Sequence, residues 1–506
     1  MALAAPAQGG EGRVLRFIPE TDVTVLDPVW TTATVTRDHA YLVFDTLYGY
    51  DATINVQPQM VSGHTIDAGG TVWTLTLRDG LVFHDGARVV AADAVASIRR
   101  WAARSVFGQA LIDATDEIAA TDDRTIRFRL KHPFPISRAL ANGPVVMPAR
   151  IAATDPNTQV KEMVGSGPFR FVTDERVPGA RVVYAKFDKY VPRPDGVASF
   201  TAGPKIVHLD RVEWHVIPDP ATAAAALQSG EAEWWGNPSY DLLPKLAAAG
   251  LLVKVLGSGG RIGCMRFNHL HPPFDNPAVR RAVLGVIDQT DFMTALAGED
   301  RAYWKTGVGA FAVESPMASD AGLSVLTGPR DAARAKQDLA AAGYQGERIV
   351  VMSQADLPDG AAMAAVGADE LQRMGFNVDL QSMDWGTLIQ RRAKMDPVER
   401  GGWSVFFTNL TGTAIFDPAA HLGLRADGRA AWVGWPTSPK IEALRAAWLT
   451  TDDLARQQAV CRDIQAQMWI DVPFIPLGES YVPYAFAKRV VDIPRGFPLF
   501  YGVRVV

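Results

Sequence analysis

From Val72 to Leu77 the apolar residues Trp73, Leu75 and Leu77 alternate with Thr74 and Thr76, the period-two signature of a strand with one buried face. Asp79-Gly80 then turns the chain, Leu81-Val82-Phe83 makes a second short apolar run, and Asp85-Gly86 turns it again. Beyond that turn Val95, Ile98, Trp101 and Ala102 recur at helical spacing, with Asp93 where a helix N-terminus favours negative charge. The stretch therefore reads strand, turn, strand, turn, helix. Further strands are predicted over Arg124 to Leu130, where Ile126, Phe128 and Leu130 alternate, and over Arg181 to Tyr184.

The second half has a different rhythm. Asn276-Pro277 places an N-cap before a proline at the first helical position, and Val279, Ala282, Val283, Val286 and Ile287 follow along one face. Ile349 to Met352 is a buried strand, Ala361 to Met374 a helix closed by Gly375, and Phe376, Val378 and Leu380 alternate in a following strand. Strand, helix, strand implies a parallel pair joined by a crossover, hence an α/β domain. Ala221 to Leu227 is a helical stretch capped by Gly230, and Pro- and Gly-rich punctuation near 191–204 and 257–260 marks candidate joints between domains.

At 506 residues the chain exceeds one core, and a prior of about 100–200 residues per domain predicts about three domains or subdomains. The net charge of -5 comes from scattered acids and bases, which excludes the basic stripe that a nucleic acid or an anionic membrane surface would need. No window reaches the apolar length of a membrane span. The start, MALAAPAQGG, resembles the end of a secretory signal without its basic beginning and apolar middle, and is read as the start of a mature exported chain with an added Met. Cys264 and Cys461 allow one bridge; two buried free thiols are the expectation.

Few residues carry chemistry on their own. His84-Asp85 suggests acid–base work, but both stand at a turn, where Asp bonds the local backbone, and a structural role is expected. Ser166, in Gly165-Ser166-Gly167-Pro168-Phe169, lacks the strand, elbow and helix order of a nucleophile. There is no His-Glu-x-x-His helix and no phosphate loop, so an enzyme, such as a hydrolase, is the weaker reading. His269-x-His271 suggests metal binding, yet two histidines without a third ligand are a weak signal.

Five motifs, in order, are WTLTLRDGLVFHDGARVVAADAVASIRRW, GSGPF, DRVEWHVIPDPATAAAALQSGEAEWW, MRFNHLHPPFDNPAVRRAV and DVPFIPL. Together they resemble the periplasmic solute-binding proteins of family 5, the dipeptide- and oligopeptide-binding components of ABC importers. The resemblance implies an α/β fold of two lobes, type II-like and of cluster C, with an extra subdomain on the first lobe. Mapped onto this chain, residues 1–38, 165–258 and 471–506 form the first lobe, 39–164 the added subdomain and 259–470 the second lobe. Gly257, Gly259 and Gly260 fall at one crossing between lobes, where a hinge absorbs changed dihedrals.

The same resemblance implies a cleft that closes on a peptide or other small organic solute, with delivery to a membrane permease. It implies a periplasmic location, a monomer, and no cofactor or resident metal; a nickel-type member of the same fold is the alternative. Aromatic walls and a few polar anchors are expected in such a site. The candidates are Trp30 and Thr31 in LDPVWTTAT, Trp385 in SMDWGTL, Trp403, Phe407, Asn409 and Thr411 in GGWSVFFTNLTG, and Arg261 as a grip for a carboxylate. Peptide-binding members place an aspartate shortly after the residue corresponding to Trp403, to pair with the peptide's ammonium. Here no acid lies between Trp403 and Phe416, which disfavours free-amine peptides unless another acid such as Asp384 serves.

Overall fold

The alternation in the first part of the chain is realised as a four-stranded antiparallel sheet in the order Val61–Ile66, Val72–Leu77, Thr125–Leu130, Thr115–Ala120. Trp73, Leu75 and Leu77 lie on its buried face, and the helix Ala91–Ala102 packs on it through Val95, Ile98 and Trp101. Asp93 accepts a hydrogen bond from the amide of Val90 at 2.9 Å, closing the helix start. The run Leu81-Val82-Phe83 is less than a strand: Val82 makes one bridge, to Arg88. In this computed structural model the described residues are 13–506 apart from 32, 142, 258–259, 356, 412–414 and 452.

The chain divides into two units: one holds the residues up to His132, Ile136–Leu256 and Pro483–Val506, the other Pro133–Pro135 and Gly257–Val482. Gly257 opens the second unit in the left-handed region, at φ 78°, and Gly259 lies outside the described residues. The punctuated stretch 191–204 is not a joint between the units, since it lies wholly inside the first.

Beside the four-stranded sheet, the first unit contains a seven-stranded one, in the order Leu252–Val255, Pro483–Phe486, Trp234–Gly236, Val14–Ile18, Arg211–His215, Arg181–Lys186, Phe169–Phe171. Val14–Ile18 runs parallel to both of its neighbours. Phe17 on this strand meets Trp214, Trp234 and Phe500 edge-on, with ring centroids 5.3–5.5 Å apart.

The second unit holds a six-stranded sheet of β1 (Arg261–Phe267), β2 (Trp304–Lys305), β3 (Arg348–Gln354), β4 (Asn377–Met383), β5 (Val405–Thr411) and β6 (Ile475–Ser480), ordered β2-β6-β1-β5-β3-β4. Helix α1 (Gln289–Ala297), helix α2 (Pro358–Met374) and helix α3 (Trp385–Arg392) accompany it. As the pattern predicts, β3, α2 and β4 form a parallel pair with a helical crossover, and Gly375 ends α2 at φ 106°. The segment 471–482, grouped above with the first lobe, falls in the second unit, because β6 is hydrogen-bonded between β1 and β2. The helix begun by Asn276 covers Pro277–Leu284 only; Gly285 ends it, Val286 lies in the turn that follows and Ile287 just beyond that turn.

His84 is a structural clamp. Its Nδ1 accepts from the amide of Gly165 at 3.2 Å, its Nε2–H donates to the carbonyl of Gly167 at 3.0 Å, and its amide donates to the carbonyl of Gly165. Those glycines allow a close approach that no side chain permits: a Cβ on Gly165 would stand 1.9 Å from the Val43 carbonyl oxygen. Asp85 accepts from Ala87 and pairs with Arg150. Burial holds the imidazole neutral, with its pKa down at about 4. The unfolded imidazole takes up a proton near 6.5, so stability falls as the pH drops from about 6.5 to about 4. His84→Ala is expected to lose about 1–3 kcal/mol and to flatten that acid-side slope. Urea denaturation at pH 7 and pH 5 checks this, and a variant as stable as the parent would refute the clamp.

Candidate functional site

In the second unit's sheet β3, β4, β5 and β6 run in one direction and β1 and β2 oppose them. Gln354, Met383, Thr411 and Ser480 therefore end at the edge where β1 begins with Arg261. In open α/β sheets the carboxyl edge is where ligands bind, because strand ends and helix N-termini leave polar groups unused there.

Three of the sequence candidates assemble at this edge. Arg261 lies directly opposite Thr411, and Asn409 opposite Gly263. Antiparallel partners point to the same face and alternate residues share it, so Arg261, Thr411 and Asn409 form one group on the face that α2 covers. Gly263 makes room there: a Cβ on it would be 3.1 Å from the sulfur of Met363 in α2. The Arg261 guanidinium, 17% exposed, lies 3.5 Å from Asp359 in the first turn of α2. The Oδ1 of Asn409 is buried and has no hydrogen-bond partner among the described residues. An unpaired buried acceptor costs about 1–3 kcal/mol, which a ligand N–H aimed at it would recover.

A second group covers the opposite face, around Phe406. The guanidinium of Arg392, at the end of α3, lies 5.1 Å from the ring of Trp385, 5.5 Å from that of Phe406 and 5.6 Å from that of Trp432. Burial pulls its pKa down to about 10, and no carboxylate pairs with it among the described residues. Arg391 is engaged elsewhere, donating to Gln381 and to the carbonyls of Gly401 and Gly402.

Trp403 and Phe407 are core side chains rather than walls of a site. Trp403 is 1% exposed, donates from Nε1 to the carbonyl of Arg392 at 3.0 Å, and packs edge-on against Phe406. Phe407 is fully buried under α2, where Gly367 leaves room for its ring, and stacks on Phe292 of α1. Both faces of β5 are covered, so its aromatics alternate between two interiors. Trp30 and Thr31 belong to the first unit. Trp30 is half-buried beneath the Arg104 guanidinium at 4.9 Å, and Thr31 accepts from the amide of Ala33. Asp27 fixes their segment through a buried ion pair with Arg100 at 2.7 Å.

Two edge residues escape the sequence reading. Gln354 ends β3, donates to the carbonyl of Phe407 at 2.7 Å and lies against Gly360 of α2. Glu479 lies in β6 with its carboxyl buried. The signal for both was a polar residue at the end of an apolar run. Asp384 caps α3 by accepting from Thr387. His269 is buried near Arg266 and Arg280, His271 donates to the carbonyl of Met395, and no group of three metal-ligating side chains forms among the described residues. Cys264 and Cys461 are both buried and are not joined in a disulfide.

Residues 55–429 match the family described as bacterial extracellular solute-binding proteins, family 5 Middle. The chain is 38% identical over 492 residues to a probable peptide ABC transporter periplasmic-binding protein, y4tO, of Sinorhizobium fredii, an alignment that covers 96% of this chain and 92% of that one. It is 26% identical to the glutathione-binding protein GsiB of Pectobacterium atrosepticum, over 92% of this chain and 88% of that one. Among solved structures, the dipeptide binding protein from Pseudoalteromonas sp. SM9913 in complex with Met-Leu superposes with a TM-score of 0.79 at 22% identity, over 98% of this chain and 100% of that one.

The packing separates core from site by stability alone. Trp403→Ala is expected to cost about 3–5 kcal/mol, whereas Arg261→Ala at the rim should change the unfolding free energy by less than about 1 kcal/mol. Chemical denaturation of both variants checks this; near-parental stability of Trp403→Ala would return that residue to the candidate site.

Proposed function

The chain belongs to the bacterial extracellular solute-binding proteins of family 5, and from that premise we propose that it captures a peptide outside the cytoplasm and hands it to the permease of an ABC importer. The peptide reading draws on y4tO and GsiB, whose names specify a peptide transporter and glutathione. The carrying observation is the polar group at the carboxyl edge of the second unit's sheet. Arg261 offers a grip for a carboxylate, Asn409 a vacant acceptor for a peptide N–H, and Thr411 a hydroxyl beside them. Trp30 and Thr31, the remaining candidates, stand in the first unit.

The missing acid after Trp403 narrows the ligand. A free α-ammonium buried without a counter-charge is costly, so a blocked, branched or acidic peptide fits better than a plain dipeptide. Arg392, held by three rings and without a carboxylate of its own, suits an acidic ligand group. The residues carry binding roles only, and no catalytic role is proposed.

A thermal-shift screen of dipeptides, tripeptides, glutathione and acidic amino acids against the full chain tests the reading. A ligand at a hundred times its Kd stabilises by about 2.7 kcal/mol, which raises Tm measurably. The best ligand should bind Arg261→Ala ten- to a hundredfold more weakly in calorimetry, consistent with about 1.5–3 kcal/mol for a hydrogen bond to a charged group. Failure of every peptide alongside a shift with nickel–histidine would replace the peptide by a metal complex, and unchanged affinity in Arg261→Ala would remove that residue from the site.

A further inference from the structure

The chain passes into the second unit at Gly257 and out of it after Val482. Both passages are flanked by strand pairs. On one side Val255 is paired with Pro483; on the other, Arg261 of β1 is paired with Ser480 of β6. Glu479 sits beside this point, paired with Ile262 on β1 and with Lys305 on β2.

Its carboxyl is fully buried and half-satisfied. One oxygen, Oε2, accepts from the amide of Val313 at 2.7 Å; the other, Oε1, has no hydrogen-bond partner among the described residues. Oε1 instead lies against Gly260, where an added Cβ would stand 2.2 Å away. The groups facing the carboxyl are Lys305 on β2, Glu314 on the loop after Val313, and the Tyr481 hydroxyl just past the end of β6. The Lys305 ammonium stands over the Tyr481 ring at 5.3 Å. Burial, reinforced by Glu314 and opposed by Lys305, pushes the carboxyl up to a pKa of about 7.

We propose that Glu479 is a proton-operated latch on the two chain passages, protonated when Gly260 is seated against it and β1 is paired with β6, and ionised when that seat opens. The physical reason lies in the orphaned Oε1. A protonated carboxyl tolerates an apolar backbone neighbour, whereas an ionised oxygen demands a donor that this arrangement does not provide. Raised acids contribute stability at low pH that is lost as the pH rises, here from about 4.5 through about 7. The joint therefore stiffens on the acid side of neutrality and loosens on the alkaline side. The latch is independent of which solute is bound.

Hydrogen exchange on the full chain tests it without a ligand. The amides of Arg261, Ile262, Ser480 and Tyr481, corrected for the intrinsic pH dependence of exchange, should open about tenfold more readily at pH 8 than at pH 6. That factor is expected of a carboxyl that releases its proton near 7 in one state and near 4.5 in the other. In Glu479→Gln, a neutral isostere, the corrected protection should not change with pH. If that variant fails to fold, the Val313 amide resonance of the parent reports the same titration directly. Corrected exchange that rises with pH equally in parent and Glu479→Gln overturns the latch, as does a Val313 resonance that titrates near neutrality while exchange stays flat, or that fails to titrate between pH 5.5 and 8.5.

Discussion

The backbone pairing of β1 with β5 on one side and β6 on the other is the constraint on which the candidate site depends. It sets Arg261 against Thr411 and Ser480, Gly263 against Asn409, and Ile262 against Glu479. A slip of one residue would turn every one of these side chains to the other face. The register is held from within by Arg266, which is fully buried and donates to the carbonyls of Gly423, Trp432, Val433 and Pro473. Those carbonyls belong to loops that flank the sheet, so one guanidinium ties β1 to both. Burial pulls its pKa down to about 10, and the carbonyls supply the acceptors that a carboxylate would otherwise provide.

Some buried polar groups are fully matched. In the first unit Lys205 and Asp45 form an ion pair at 2.7 Å with no exposure, and Asp45 also accepts from Tyr190 and Gln59. His84 fills both ring nitrogens with backbone partners of the Gly165–Gly167 turn. These groups hold a conformation and have nothing left to offer. Asn409, Glu479 and Arg392 are different: two keep a buried oxygen without a donor, and the third is a cation held by rings alone. Local rules of satisfaction are broken most readily where a protein must bind or move.

The fold was legible wherever periodicity is local. Strand β3, helix α2 and strand β4, and the helix capped by Asn276, all follow from spacing and caps. The boundary errors have local causes too: Gly285 ends a helix whose apolar stripe continues through Ile287, and Leu81-Val82-Phe83 is too short to pair beyond Val82. The site was legible only in part. Residue type and loop position suggested Trp403 and Phe407 as binding walls, but a covering layer on each face of β5 makes both of them core. Nothing in the identity of a tryptophan distinguishes a wall from an interior, because both reward the same large apolar ring.

The sequence by itself determined the elements, their caps and turns, and the order of motifs that marks the family. Those features arise from sterics and hydrogen bonds acting over a few residues, so a short window contains all the information they need. Only the tertiary structure decided that Arg261, Asn409 and Thr411 would meet at one edge, and that Glu479 would lie beneath Gly260 where the chain crosses between units. Such neighbours come from strands far apart in the chain, and their register is chosen by the packing of the whole sheet rather than by any one of them.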